Sequence, residues 1–540
     1  MSTKGEEQSP PPLQGKTYPA LGILGVLLGA MLATFLGRLI SVGSADLRGA
    51  MHLDSDAASW VGTSYNMGLM FIGPFSVYLG GLLGPRRVLL SCAALFSLIC
   101  VALPFCGLFS IFIALLVFAG LTAGTFYPLA LSFVLRNLPL KYLVFGIGAY
   151  SLDIVVTTHV AHSYQAWMMH ALSWRWIFWT DAALAPVMML FVYFGIPGQP
   201  LPKPAPNQTK PSWLGFFYAS LSMALIYGAL DQGQRVDWWR SNLFVAMLVT
   251  GLFLGIAAAV RHFAQPNPLI NFRFLGSGNT LLLGVTIMLF RFVLLATVVL
   301  VPSFLASAQG YSAEQTGPVL LWVAVPQVLV TLFAIILLAR LDSRLILALG
   351  FALVASGCTV NAHLASSWSG NSFQITQLVL ATGEAFAFTG LVGTIVLEAI
   401  NSGALRRPID VLTFAGFFQS IRLMGGEAGA SFIQFFLQHR ERIHSNALGL
   451  HVQTGGIATT QRLLPLSSAM LPYSSPDIAG ARAGALLGLT IRSQAFTMAV
   501  ADGFLVVAYT AAACLLVIAC MGTLQLQYKQ LSVQGVSPTK

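Results

Sequence analysis

Residues 375–399 read ITQLVLATGEAFAFTGLVGTIVLEA, an apolar run of helix length broken only by isolated polar residues, and such runs recur along most of the chain. A hydrocarbon core is crossed by about 20 consecutive apolar residues in helical form. No water is available there, so only helices and closed barrels satisfy their own backbone. The runs are continuous rather than alternating, which selects helices over a barrel. The fold class is therefore an all-α polytopic membrane protein. Composition agrees, with 56% hydrophobic and only 9% charged residues, against roughly 25% charged in soluble domains.

Several function classes fall away at this point. The net charge of +10 does not indicate nucleic acid here, because basic residues accumulate in loops that stay cytoplasmic. The cysteines at 92, 100, 106, 358, 514 and 520 lie in or beside apolar runs with no C-x-x-C spacing, which reads as small buried hydrophobes. No metal or cofactor is called for. Residues 1–16 are polar and carry a Pro-Pro-Pro run. The apolar stretch after them shows no obvious cleavage site and reads as a retained first span.

Hydrophobicity places fourteen helices at approximately 18–42, 57–80, 87–107, 109–135, 142–167, 175–196, 212–231, 241–261, 279–304, 316–338, 344–366, 373–399, 410–437 and 497–523. Charge then orients them. With the N-terminus in the cytoplasm, the short inner loops hold Arg86, Arg87, Arg136, Lys141, Lys203, Lys210, Arg261, Arg273, Arg340, Arg344, Arg406 and Arg407. The short outer loops hold Arg48, Arg175, Arg235 and Arg240. That asymmetry is the positive-inside pattern, and it puts both termini in the cytoplasm of an inner (plasma) membrane protein. Trp174, Trp176 and Trp179 mark an outer interfacial belt.

Two polar segments stand out. Residues 197–211, PGQPLPKPAPNQTKP, form a proline-rich cytoplasmic linker that cannot be helix or strand. Residues 438–496 form one long outer loop. Its two ends, HRERIHSNALGLHV and ARAGALLGLTIRSQAF, read as helical and its middle as loop.

The chain also hints at duplication. YLGGLLGPRRVLLSCA at 78–93 and LLARLDSRLILALG at 337–350 each put small and basic residues into a very short turn between two spans. They occupy matching positions if spans 1–6 and 9–14 are equivalent halves, and repeated halves around a midplane cavity are a common transporter plan.

Three stretches resemble the major facilitator superfamily, in its fourteen-span drug:proton antiporter branch. SWRWIFW at 173–179 is similar to the entry of span 6 in that branch, and RLMGGEAG at 422–429 to its span 13 R-x-x-G-G-x-x-G element. His439-Arg440 through His451-Val452, with Arg492 to Ala495, resembles the two ends of its outer loop. The resemblance implies two six-helix bundles, at 18–196 and 279–523, flanking two inserted helices at 212–261, with tails at 1–17 and 524–540. It implies export of a small molecule driven by proton entry. In double-membrane bacteria it also implies a periplasmic adaptor and an outer-membrane channel, for which the outer loop is the candidate dock.

The chain departs from the family pattern in places. In the loop between spans 2 and 3, Gly84, Arg86 and Arg87 match the family, but Gly81 stands near its aspartate. Ala161 to Ala166, AHSYQA, replaces the span 5 G-P-x-x-G-G, Leu116 lies where span 4 usually carries an arginine, and Arg38 closes a span 1 segment that usually holds an acid. The family's usual proton route is therefore not carried over.

Ionisable residues inside spans cost roughly 2.5–3.5 kcal/mol each at the bilayer centre, so they mark cavities or partners. Asp153, near the middle of span 5, is the first proton-coupling candidate, with a structural ion pair to Arg38 or Arg291 as the alternative. His159 and His162 share a face and can relay a proton; packed, hydrogen-bonded histidines are the alternative. Glu384 sits mid-span in helix 12. Arg38, Arg291, Arg422 and Glu427 are substrate-cavity candidates, although Arg38 is near enough to the outer end to snorkel. Gly84, Arg86 and Arg87 are candidates for a conformational turn, and Asp502 for a solvated cap at the start of span 14.

These residues together describe a secondary transporter exporting small amphipathic or drug-like molecules by proton-coupled alternating access. Its partners are that substrate, protons and the bilayer. Proton-coupled uptake of a small organic solute, anionic ones included, is the alternative. A membrane enzyme or receptor is disfavoured by the lack of H-E-x-x-H, G-x-S-x-G, a Walker loop or a soluble domain.

Overall fold

The computed structural model describes residues 18–130, 140–197, 213–264, 278–402, 408–453, 455–522 and 528, and these contain helices and no strand. The first half holds α1 (Pro19–Val42), the short α2 (Ser44–Ala50), α3 (Ser55–Leu83), α4 (Pro85–Ala102), α5 (Phe109–Ala123), α6 (Leu140–Ala171) and α7 (Trp176–Gly195). Then come α8 (Trp213–Gly233) and α9 (Asn242–Phe263). The second half holds α10 (Gly278–Val293), α11 (Val301–Ser307), α12 (Ala313–Leu338), α13 (Ser343–Asn361), α14 (Gln374–Asn401), α15 (Pro408–Gly449), α16 (Ile457–Met470) and α17 (Pro476–Cys520).

Local chemistry explains the boundaries. Asp54 caps α3 by accepting from the Ala57 N–H at 2.6 Å, and Ser312 with Gln315 forms a capping box on α12. Between α3 and α4 the chain reverses through Gly84 alone, at φ 81°. That is the left-handed region, where only glycine is unstrained, and Pro85 then opens α4. Helices inside each half approach closely where a side chain would obstruct. A Cβ on Gly68 or Gly120 would overlap the facing backbone between α3 and α5, and one on Gly350 would do so between α13 and α14.

In the first half, α1 packs on α6 and α7, α3 on α5 and α4 on α7; in the second, α13 packs on α14 and α17, α12 on α14, and α10 on α15 and α17. The halves meet along two seams. At one, α6 packs on α12 and touches α14; at the other, α3 packs on α15. Helix α8 lies against α3 and α15 together, while α9 packs chiefly on α8.

Twelve helices among the described residues are long and apolar enough to cross a membrane. The fourteen-span count is therefore not reached by that measure. The two expected spans outside it are α3 and α15, which are 29 and 42 residues long. The middle of the outer segment differs from expectation, because Ile457–Met470 is helical rather than loop. Both flanking helices run into this segment unbroken, α15 to Gly449 and α17 from Pro476. Asp502 is likewise not a solvated cap. It lies inside α17 and pairs with Arg440 at 2.6 Å and His444 at 2.7 Å on α15. Arg136, Lys203, Lys210, Arg273, Arg406 and Arg407 fall outside the described residues.

Candidate functional site

A cavity of about 500 Å³ lies among α1, α3, α8, α10 and α15. Arg38, Arg291, Arg422 and Glu427, named from the sequence as cavity candidates, all line it. Two residues that sequence reasoning missed, Tyr227 and Asp231, line it from α8. The cavity reaches the end of the bundle that carries Ser44, Leu53, Arg235 and Gln434.

The charges in it are unevenly served. Arg422 stacks over the Tyr127 ring at 4.0 Å and donates to Gln419 Oε1 at 3.0 Å. Arg291 lies against Gly426, where an added Cβ would come within 2.9 Å of the guanidinium, and its Nε is buried without a hydrogen-bond partner. The carboxylates are held elsewhere. Asp231 accepts from the Thr63 hydroxyl, and Glu427 accepts from the Ser431 hydroxyl at 3.2 Å.

Helix α8 ties this region to both halves. Gln232 bonds to Thr63 and Ser59 of α3, and Arg235 pairs with Asp56 at 2.8 Å. On the other side, the Ser431 hydroxyl of α15 donates to the Leu230 carbonyl at 2.9 Å, and Gln234 bonds Gln438.

A second polar group sits in the other seam. Glu384 of α14 is fully buried. It receives Thr297 Oγ1 at 2.6 Å and Gln327 Nε2 at 2.9 Å, and lies 3.5 Å from His159 Nε2. His159 also meets Thr297 Oγ1 at 3.1 Å. His159 belongs to the first half and the other three to the second, so this group bridges the halves. Thr297 reaches it from a π-helical turn, Ala296–Leu300. Pro302, just beyond, has no N–H to continue the ordinary ladder, and π turns of this kind recur at functional sites.

The remaining candidates separate. Asp153 Oδ2 and His162 Nδ1 are buried without hydrogen-bond partners. Among the described ion pairs none joins Asp153 to Arg38 or Arg291, so that alternative does not hold. Arg86 clamps α4 to the end of α7, donating to the Tyr193 carbonyl at 2.8 Å and stacking over its ring at 4.9 Å; Arg87 is exposed. No cluster of three metal-ligating side chains occurs among the described residues. Asp181 of α7, also missed, is buried with both carboxyl oxygens unpartnered. Thr297 and Gln327 carried a faint signal, as uncharged polar residues inside apolar runs.

Two halves of six helices around a charged cavity define the class of polytopic transporter folds. The sequence profile of the Major Facilitator Superfamily matches residues 26–430, and the chain belongs to that superfamily. It is 23% identical over 472 residues to the multidrug export protein EmrB of Haemophilus influenzae, covering 82% of this chain and 85% of the relative. It is 21% identical to the probable multidrug resistance protein EmrY of Escherichia coli, covering 82% and 84%. The fatty acid resistance protein FarB of Neisseria gonorrhoeae is also 21% identical, covering 82% and 85%. Among solved structures, the proton:xylose symporter XylE aligns with a TM-score of 0.56 at 12% identity, over 95% of this chain and 99% of that one. The human organic anion transporter MFSD10 aligns at 0.55 and 13% identity, over 92% and 100%. At such identities these two structures speak for the fold alone.

Proposed function

We propose that the protein exports small amphipathic or drug-like molecules across the inner membrane by proton-coupled alternating access. The observation that carries this reading is the division of labour between a charged cavity open at one end and a buried His159–Glu384 bridge joining the two halves. The named relatives are export or resistance proteins, which favours export over uptake.

In this reading fourteen helices cross, both termini are cytoplasmic, and the cavity faces outward. The parts are the bundles 18–196 and 279–523, the linker 197–211, the inserted pair 212–261, and the tails 1–17 and 524–540. A proton arriving at Glu384 or His159 changes the charge of a contact that spans the halves and so shifts their balance. Asp153 and His162, on the same helix as His159, are the further members of that route. Arg86 and Arg87 hold the turn at Gly84 through the cycle. The α15–α16–α17 projection is the surface for a periplasmic adaptor leading to an outer-membrane channel.

The test is transport by the purified chain in vesicles, with an imposed pH gradient and a panel of drug-like dyes. Gradient-driven movement out of the side that carries the termini is the expected result. Movement in the opposite sense, or movement indifferent to the gradient, overturns the reading. Asp153→Asn should insert normally and transport more slowly under the gradient.

A further inference from the structure

Four guanidinium groups and two carboxyl groups line the cavity; Arg235 at its end pairs with Asp56, and the other three are not neutralised by the carboxyl groups. No described carboxylate lies within ion-pairing distance of Arg38, Arg291 or Arg422. The three arginines act on one another as like charges, while Glu427 and Asp231 lie beside each other and turn their hydrogen bonds to Ser431 and Thr63. These arginines are thus left without a carboxylate partner, while the two carboxyl groups hydrogen-bond within their own cluster. A guanidinium in a low-dielectric site without a counter-charge is costly, and its planar array of donors fits a carboxylate or sulfonate in bidentate fashion. The wall also carries apolar side chains, Leu53, Leu69, Leu295 and Val299, among hydroxyl and amide groups such as Thr34 and Asn66. The volume of about 500 Å³ suits a drug-sized molecule.

We propose that the cavity binds amphipathic organic anions, the anionic group held by Arg291 and Arg422 with Arg38 beside them, and the apolar body lying on the leucine wall. Helix α8 is then part of the binding site and not only an insertion, because it supplies Tyr227 and Asp231 to the wall. Asp231 and Glu427, hydrogen-bonded to each other, offer no positive group, so the anionic end is directed to the arginines. This rests on the cavity being the transport site.

The experiment is equilibrium binding of radiolabelled 2-naphthoate to the purified full-length chain, at constant ionic strength and without a gradient. Unlabelled naphthalene-2-sulfonate should displace the label. The neutral 2-naphthamide and the cationic 2-naphthylmethylammonium should displace it at least about tenfold less well, the usual value of hydrogen bonds to a charged partner. Arg291→Gln and Arg422→Gln should each weaken naphthoate at least about tenfold and leave the amide unchanged. Arg344→Gln, whose guanidinium pairs with Asp342 away from the cavity, should change neither.

Equal displacement by the amide or the ammonium compound overturns the proposal. So does chloride displacing the label where gluconate does not, which would mark a site for small inorganic anions. If either arginine variant fails to fold, the compound series on the native chain still decides. Because no gradient is applied, intact naphthoate binding with no pH-driven transport would count against proton-coupled export alone. Transport with no preference for the anion would count against this inference alone.

Discussion

The two seams between the halves are built from different materials. Along the first, α6 and α12 touch directly at two levels. Gly148 accommodates Ile335, and Gly317 packs on Ser163. Its buried polar group is His159, Thr297, Gln327 and Glu384, and a second cavity opens between the same helices beside Ser163, His170 and Glu314. Along the second, α3 meets α15 more loosely, with the Ser420 hydroxyl 3.4 Å from where a Gly73 Cβ would stand. Polar bonds from α8 stitch this side together, and the cavity opens beside it. The halves share a plan, yet one seam gathers its bonds across the halves in one buried group while the other spreads them along α8. A single proton changes the first by a full charge in a low-dielectric setting, where electrostatic effects are large. On the second, no one contact carries as much.

That contrast can be broken in four places. Glu384→Gln keeps the shape of the first seam but removes its buried titratable carboxyl. Gradient-driven efflux should fall to background while substrate exchange at equal pH persists; retained gradient-driven efflux would show that the proton acts elsewhere. Gly148→Ala should destabilise the protein by about 1–3 kcal/mol, as overpacking does, because the new methyl group overlaps Ile335. Gly73→Ala on the second seam should leave the unfolding temperature unchanged, and equal shifts in the two variants would erase the distinction. Arg86→Gln, away from both seams, should slow turnover without altering substrate binding, through loss of the Tyr193 clamp. The smallest effect belongs to Arg235→Gln, whose partly exposed pair with Asp56 contributes under about 1 kcal/mol. A larger fall in thermal stability would mean that the stitches along α8 act as a unit.

Much of this architecture is legible in the sequence because lipid leaves few options. Apolar runs of crossing length become helices, and a charged residue within one needs a polar setting. Arg291, Arg422 and Glu384 announce themselves in that way. The partners do not. His159 and Glu384 sit on distant spans, and nothing in one sequence states which helices touch. Asp231 stands at the end of an expected span, where a charge reads as interfacial, and only the docking of α8 onto α3 and α15 brings it to the cavity. Thr297 depends on a π turn, a local shift of register that apolar periodicity does not reveal. The helix at Ile457–Met470 has no fully buried side chain, and its apolar stripe, Leu463, Leu466 and Met470, is short, only half-buried and interrupted by Pro465.

The unbroken course of α15 and α17 has a mechanical consequence. Helices of 42 and 45 residues, at about 1.5 Å per residue, are levers roughly twice the thickness of a bilayer core, and the Arg440–Asp502 contact pins them side by side. A small tilt of the second half at membrane level is magnified at their far tips. A fluorophore at the tip would therefore read the motion of the whole lobe from outside the lipid.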